Sequence, residues 1–428
     1  MKTTTNGAKQ SRGLSLVRRV LTILLLAGSL GAGRAEDLFS LTAIGTGSTN
    51  TVGSKSLLSL VEQVINGTGQ FNYFQANDLL LGTLRYAGVN DAIRFTNNAA
   101  GTSARIIIPS TGLNRQFTGG TRAQVEDQIE QFLKTEGSAE VAKFLKAMAA
   151  QSLVAVTDGN PNSTTAFSAA QTYGNYGMDF AETNEEKDSP KESAGRGGFG
   201  IIADVGTFDA NGIKGTTYSL PLYARFKLTE RVGLNFDLPV NYVDIEGAQV
   251  FGLGLGLGLP IKVVPRAKGS PWHWQLTPFG GASASGSQDF VAGGLLVNGG
   301  ANSMLAYDFG RCTLSMGNHF SLYEGVPLTI DTYTFDPGVS QQILKNGLKL
   351  DVPLGRRWVF DVYGIHTKFL ASAAIDQYVT VGGEIGYRLL GKADAAKKKS
   401  GYLKFGVYAE LGKNFTSAHA QFGTGWKF

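Results

Sequence analysis

The chain has 428 residues, 43% of them hydrophobic and 17% charged, with a formal net charge of +5 and one cysteine. That length allows two domains, and a single cysteine excludes an internal disulfide framework. Residues 1–35 carry Lys2, Lys9, Arg12, Arg18, Arg19 and Arg34 and no acid, so the remainder is close to −1 and its charge gives no support to a nucleic-acid partner.

The basic N-terminus runs into Val20, Leu21, Ile23, Leu24, Leu25 and Leu26, then into small residues ending at Ala35. This order predicts a secretory signal over 1–35, cleaved after Ala35. The apolar run is shorter than the ~20 residues a membrane-spanning helix needs. Residues 36–180 are mixed in pattern. Leu57, Leu58, Val61, Val64 and Ile65 have helical spacing, and residues 92–95 and 104–108 read as strands. Thr121 and Gln124 form a capping box ahead of Val125, Ile129, Phe132 and Leu133 on one helical face. Val141, Phe144, Leu145 and Met148 continue as a second amphipathic helix. Such stripes predict a small α+β soluble or plug domain with a core of its own. Residues 181–197 hold eight charges, one proline and no large apolar side chain, which predicts a solvated linker.

From 198 to 428 the chain reads as strands. Twelve are expected, near 198–209, 214–229, 231–244, 249–263, 272–286, 290–308, 311–323, 347–355, 357–369, 376–390, 401–412 and 416–428, with 10 to 14 compatible with the pattern. In the third, Leu234, Phe236, Leu238, Val240 and Tyr242 oppose Asn235, Asp237 and Asn241. In the eleventh, Leu403, Phe405, Val407, Ala409 and Leu411 oppose Lys404, Gly406, Tyr408 and Glu410. A strand crossing a bilayer at a tilt needs ~9–11 residues, and these runs are long enough. No stretch of 18 apolar residues follows the signal, so no helix is expected to span a membrane. Starting from one side, the links at 229–230, 264–271, 309–310, 355–356 and 391–400 fall at the periplasmic end, and 324–346 is the longest loop at the other. Trp272, Trp274, Trp358 and Trp426 all lie near the periplasmic ends, as an aromatic girdle at one interface would.

Strand four alternates leucine with Gly252, Gly254, Gly256 and Gly258. Its bare glycine face predicts close contact with a plug inside the barrel, supplied by the linker or an N-terminal helix. Lumen-register cations Arg225, Lys227, Lys349, Arg388, Lys404 and Lys427 stand against Asp204, Asp237, Asp351, Asp361, Glu384 and Glu410. Selective channels concentrate one sign of charge, so this balanced set predicts a narrow or plugged pore.

The chain ends on Phe428, with Trp426 two and Phe422 six positions earlier. This resembles the C-terminal assembly signal of bacterial outer-membrane β-barrels. The order of signal, N-terminal module, linker and terminal barrel of about twelve strands resembles that of autotransporters, although the module lacks that family's long repetitive β-helix. The resemblance implies an all-β transmembrane antiparallel barrel in the outer membrane, with outer-membrane lipid and the export and barrel-assembly machinery as partners. His319 and Ser321 share a strand face and resemble the His-x-Ser of outer-membrane lipid hydrolases, His as base and Ser as nucleophile. That family's following Asn-Gly is replaced by Leu322-Tyr323, and the alternation turns both side chains to the lumen. The expected function is a narrow or plugged pore. The alternatives are an autotransporter-like translocator displaying its N-terminal domain, and the lipid hydrolase. No enzymatic activity, cofactor or metal is expected.

Overall fold

A computed structural model describes residues 38–45, 48–57, 59, 60, 63, 80–98, 100–134, 137–176, 197–265, 270–330, 333–355, 357–389 and 400–427. The expected signal, most of the linker and Phe428 lie outside the described residues. Of the helix expected after residue 56, only Leu57, Ser59, Leu60 and Gln63 are described.

Among the described residues, the N-terminal region forms a six-stranded antiparallel sheet: β1 (Phe39–Gly45), β2 (Ser48–Ser54), β3 (Leu80–Tyr86), β4 (Val89–Asn97), β5 (Ser103–Ile108) and β6 (Leu113–Thr118), in the order β2-β1-β3-β4-β5-β6. Three helices follow, Arg122–Lys134, Gly137–Ala149 and Thr164–Tyr176. The first is capped by its Thr121/Gln124 pair. The Gln124 N–H donates to Thr121 Oγ1 (3.3 Å), and the Gly120 N–H donates to Gln124 Oε1 (2.8 Å). Val125 and Phe132 then bury their face against Phe117 of β6. Val141, placed by spacing on the buried face of the second helix, is 40% exposed, whereas Phe144, Leu145 and Met148 are buried.

The rest is a closed antiparallel barrel of twelve staves. They are β7 (Gly197–Ala210); β8 (Ile213–Ser219) with β9 (Leu222–Lys227); β10 (Gly233–Leu238) with β11 (Val240–Ile245); and β12 (Ala248–Gly258) with β13 (Ile261–Val264). Then come β14 (Trp272–Ser287), β15 (Ala292–Asp308), β16 (Thr313–Val326), β19 (Ser340–Leu354), β20 (Trp358–Phe369), β21 (Gln377–Arg388), β22 (Ser400–Gly412) and β23 (Phe415–Lys427). β17 (Leu328–Ile330) and β18 (Tyr333–Phe335) pair only with each other, in the connection between β16 and β19. Closure is the pairing of β23 with β7, from Thr416 opposite Asp209 to Lys427 opposite Gly198. Staves two, three and four are interrupted at Pro221, Pro239 and Pro260, because proline has no N–H to give the ladder. Their carbonyls still accept, Pro239 from the Gly254 N–H at 2.9 Å and Pro260 from the Gly233 N–H at 2.9 Å.

The wall is apolar outside and polar inside. On β12, Phe251, Leu253, Leu255 and Leu257 are exposed; on β16, Thr313, Ser315, His319 and Ser321 are buried between exposed Leu314, Met316, Phe320 and Leu322. This inversion suits a barrel surrounded by hydrocarbon.

The connection expected at 324–346 is much shorter, since β16 runs to Val326 and β19 begins at Ser340. The pattern misled because the apolar side chains turn inward there. Tyr323 and Ile343 join Leu296, Phe369, Tyr378, Ala166 and Ala169 in a buried cluster, so the outward face looked like loop. Three connections at this end are two-residue turns, at 211–212, 246–247 and 413–414. Asn211-Gly212, with φ of 55° and 93°, has the left-handed pair that a tight hairpin requires.

Short hairpins leave room for the N-terminal domain, which sits on this end. Phe39, Leu41, Tyr86, Phe144 and Met148 share one buried core with Phe208, Ile213, Ile245, Phe290, Ile375 and Phe415 of the hairpins. The Phe39 ring meets Tyr86 and Phe290 edge-on, each at 5.3 Å, and the Tyr86 hydroxyl donates to the Phe290 carbonyl at 2.9 Å. The domain core is therefore completed by the barrel.

Leu255→Arg, on the outward face, should destabilise the bilayer-embedded barrel by ~2–4 kcal/mol, while Leu255→Ile should be nearly neutral. Urea unfolding in lipid vesicles, followed by the heat-modifiable mobility of the folded form, measures both.

Candidate functional site

The lumen is filled by the chain's own helix, Thr164–Tyr176. Its sequence is small and polar, and its contacts descend the wall in order. Thr164 Oγ1 donates to Ser285 Oγ (2.6 Å), Asn298 Nδ2 to Ser168 Oγ (3.4 Å), Asn302 Nδ2 to the Thr172 carbonyl (3.1 Å) and Tyr173 Oη to the Gly317 carbonyl (3.1 Å). Ser285 lies near the capped end, whereas Asn302 and Gly317 lie lower. The helix therefore runs from the domain towards the end where β7 begins. Gly347 admits the Tyr173 hydroxyl, which a Cβ there would meet at 2.3 Å.

The entry to the helix is fastened by polar side chains. Asn160 Nδ2 donates to the Ala155 carbonyl (2.7 Å), the Asn162 N–H donates to Asn160 Oδ1 (2.9 Å), and Ser163 Oγ donates to the Asn160 carbonyl (2.6 Å). Asp158 accepts from Thr165 Oγ1 (2.7 Å) and from Gln341 Nε2 on β19 (3.0 Å). Burial pushes its carboxyl above the ordinary range against those stabilising bonds.

His319 and Ser321 are brought together, with a third residue that spacing did not reveal. Asn302 gives its amide N–H to Thr172, so its Oδ1 faces His319 Nδ1 at 2.6 Å. His319 Nε2 is then the acceptor for the Ser321 hydroxyl at 2.8 Å. Phe279 stacks on the imidazole and Tyr173 of the helix meets it edge-on, and Ser321 is fully buried. A similar set lies on β23 and its neighbours. His419 Nδ1 is 3.0 Å from Asp204 Oδ1, His419 Nε2 is 3.1 Å from Ser417 Oγ, and Ser417 donates to Glu410 at 3.1 Å. Asn302 and Ser417 could have been placed in the lumen by alternation, but the meeting of Asn302 with His319 and of Ser417 with Glu410 depends on strand register, and Tyr173 comes from a helix that alternation does not describe.

Below the helix the lumen charges pair. Lys349 bonds Asp351 and lies 4.0 Å from Asp361. Lys404 contacts Glu384 at 2.5 Å, and Gln421 Nε2 donates to the same carboxylate at 2.5 Å. Arg225 lies over the Tyr223 ring, whose hydroxyl bonds that of Tyr402. Asp237 is buried, and Lys227 is exposed at the end away from the domain. The side chains of Arg388 and Lys427 lie outside the described residues. Paired charges fill space without creating a one-sign constriction.

The glycine face of β12 meets the helix only in part. A Cβ on Gly252 would strike the Asn241 side chain (2.1 Å), and one on Gly254 would strike Pro239 (2.6 Å). Both spaces are taken by the adjoining staves. Gly256 lines a small gap against Ser168, Gln171 and Thr172 of the helix, so plug contact there is local. Gly258 pairs with Asn235 and Phe279 across the sheet. Trp272, Trp358 and Trp426 are exposed at the end away from the domain, beside Tyr307, Tyr387 and Phe199 respectively. Trp274 is half-buried, its Nε1–H donating to Ser303 Oγ at 2.9 Å. Phe422 is exposed on the outward face.

These features define a transmembrane antiparallel β-barrel whose lumen holds a helix of its own chain. No protein-family model and no curated protein sequence matches it. Among solved structures it is similar to the translocator domain of the autotransporter NalP from Neisseria meningitidis, at 15% identity and a TM-score of 0.42 over 62% of this chain and 98% of that one. It is similar to the β domain of the Bordetella autotransporter Brka, at 11% identity and a TM-score of 0.39 over 55% of this chain and all of that one. It is also similar to an outer-membrane channel from Pseudomonas putida F1, at 14% identity and a TM-score of 0.39 over 55% of this chain and 98% of that one.

Asn302→Leu should leave the His319 Nδ1–H without its acceptor, remove the side-chain donor that ties the Thr172 carbonyl to the wall, and destabilise the barrel by ~1–3 kcal/mol. Equilibrium unfolding of the variant beside Asn298→Leu measures this, with the larger loss expected at Asn302.

Proposed function

We propose that this protein is an integral outer-membrane barrel of the autotransporter-like kind. It holds its N-terminal domain at the outer face and keeps the connecting helix in the lumen as a plug. The observation that carries this reading is the path of the chain: domain at one end, helix descending the lumen, first stave starting at the other end. With an even number of staves, the first begins and the last finishes on the same side. An exported chain reaches the outer membrane from the periplasm, so the aromatic-ringed end carrying both barrel termini belongs there. The domain on the opposite hairpins then faces outward.

A passive pore is supported less well, because the helix occupies the lumen and the charges beneath it are paired. The lipid hydrolase is also disfavoured. An ester dissolved in the bilayer meets the outward wall, whereas Ser321 is buried on the inner face, bonded to His319, whose ring Tyr173 and Phe279 cover.

Topology is tested by thiol labelling of intact cells, with Cys312 replaced by Ala. Glu126→Cys in the domain should react with a membrane-impermeant maleimide. Arg231→Cys in a turn at the far end should react only after the outer membrane is permeabilised. The reverse pattern would place the domain in the periplasm and return the protein to an anchor or pore.

A further inference from the structure

We propose that the membrane-facing wall carries a binding groove for one phospholipid acyl chain, at the closure of the barrel; this rests on the membrane reading above. The groove measures about 510 Å³ and crosses β22, β23, β7, β8 and β11. Its floor is Ala203 and Ala420, small residues in the outward register. Phe405 and Phe422 form one wall, and Tyr218 and Tyr242 the other. Phe422 stands opposite Ala203, and Ala420 opposite Val205, across the β23–β7 pairing. The depression is thus a place where two outward positions lack bulk while four aromatic side chains, with Val205, Leu220 and Val240, line it around them.

The ladder is broken beside it. The register of β9 with β10 (Leu222 opposite Leu238) and of β8 with β11 (Ser219 opposite Asn241) sets Pro221 against Pro239. Neither can donate a ladder hydrogen bond, so the wall interrupts its strands beside the groove. Asp204 and Gln421, which also border it, turn their side chains to the lumen, where they meet His419 and Glu384. The surface left towards lipid is apolar.

Hydrocarbon must enter this concavity, because an empty one forfeits dispersion contacts along its lining. A chain seated there touches protein on three sides, whereas a chain on the convex wall touches it on one. The wall of a second copy is convex and fits a groove poorly. The aromatic pair Phe199 and Trp426, stacked at 5.3 Å on the same two strands, marks a headgroup level. From Phe199 to Ala203 is four residues, or ~13 Å along a strand, a depth that an acyl chain anchored beside Trp426 reaches.

The test is native mass spectrometry of the full-length barrel after incubation with a phospholipid bearing two 16-carbon chains, followed by detergent exchange. The wild type should retain bound phospholipid. Ala203→Phe with Ala420→Phe, which fills the floor, should lower retention roughly tenfold, while Val379→Phe on the outward face of β21 should not. If the double variant assembles poorly by heat-modifiable mobility, Ala203→Phe alone is read instead. Equal retention by wild type and filled variant, or no retention by a barrel that inserts into vesicles, overturns the groove. Wild-type dimers that the filled variant abolishes would overturn it in favour of a second copy. Failure of the wild type to insert into vesicles would instead contradict the membrane reading itself.

Discussion

Hydrocarbon offers no partner to a peptide N–H or C=O, so a sheet can cross a bilayer only if it has no edge. Everything else here follows from the ring of pairings that closes at β23 and β7. Closure fixes an outward face for lipid and an inward face for whatever is enclosed. The inward face cannot be left as an apolar void, and this chain fills it with itself. Where an ordinary soluble domain puts leucine at its centre, the centre here is serine, threonine, asparagine, histidine and paired charge around a helix of similar polarity.

That choice of contacts has a mechanical consequence. The helix is held chiefly by single hydrogen bonds with Ser285, Asn298, Asn302 and the Gly317 carbonyl, each worth about 0.5–1.5 kcal/mol net, and by the alanine side that faces Tyr323 and Ile343. A polar segment that trades such bonds for water loses little. The domain above is the firmer attachment, since its aromatic core closes only against Phe208, Phe290 and Phe415 of the hairpins.

Much of the barrel could be read from residues alone. Alternation in β10–β11 and β22 assigns both faces, and the positions of Trp272, Trp358 and Trp426 mark one end. The upper part of β19 was missed because Ile343 turns inward above the membrane band, reversing the pattern that defines the strands below it. Four glycines on β12 pointed to an interior occupant, but two of them make room for Asn241 and Pro239 of the neighbouring stave. The side chains that meet in the lumen were legible as inward-facing, not as partners. Asn302 meets His319, and Ser417 meets Glu410, only through strand register, whereas Ser417 and His419 meet because they stand two apart on one strand. The helix Thr164–Tyr176 carries no amphipathic stripe, because its surroundings are polar on most sides.

The central claim is that residues 164–176 lie inside the closed barrel in the membrane. Ser168 and Asn298 touch across the lumen at 3.4 Å. In a Cys312→Ala background, Ser168→Cys with Asn298→Cys should cross-link through a short bis-maleimide in folded, membrane-embedded protein, and the linked barrel should show little conductance in planar bilayers. Absence of the cross-link together with a large, steady conductance would show an empty lumen and contradict the account.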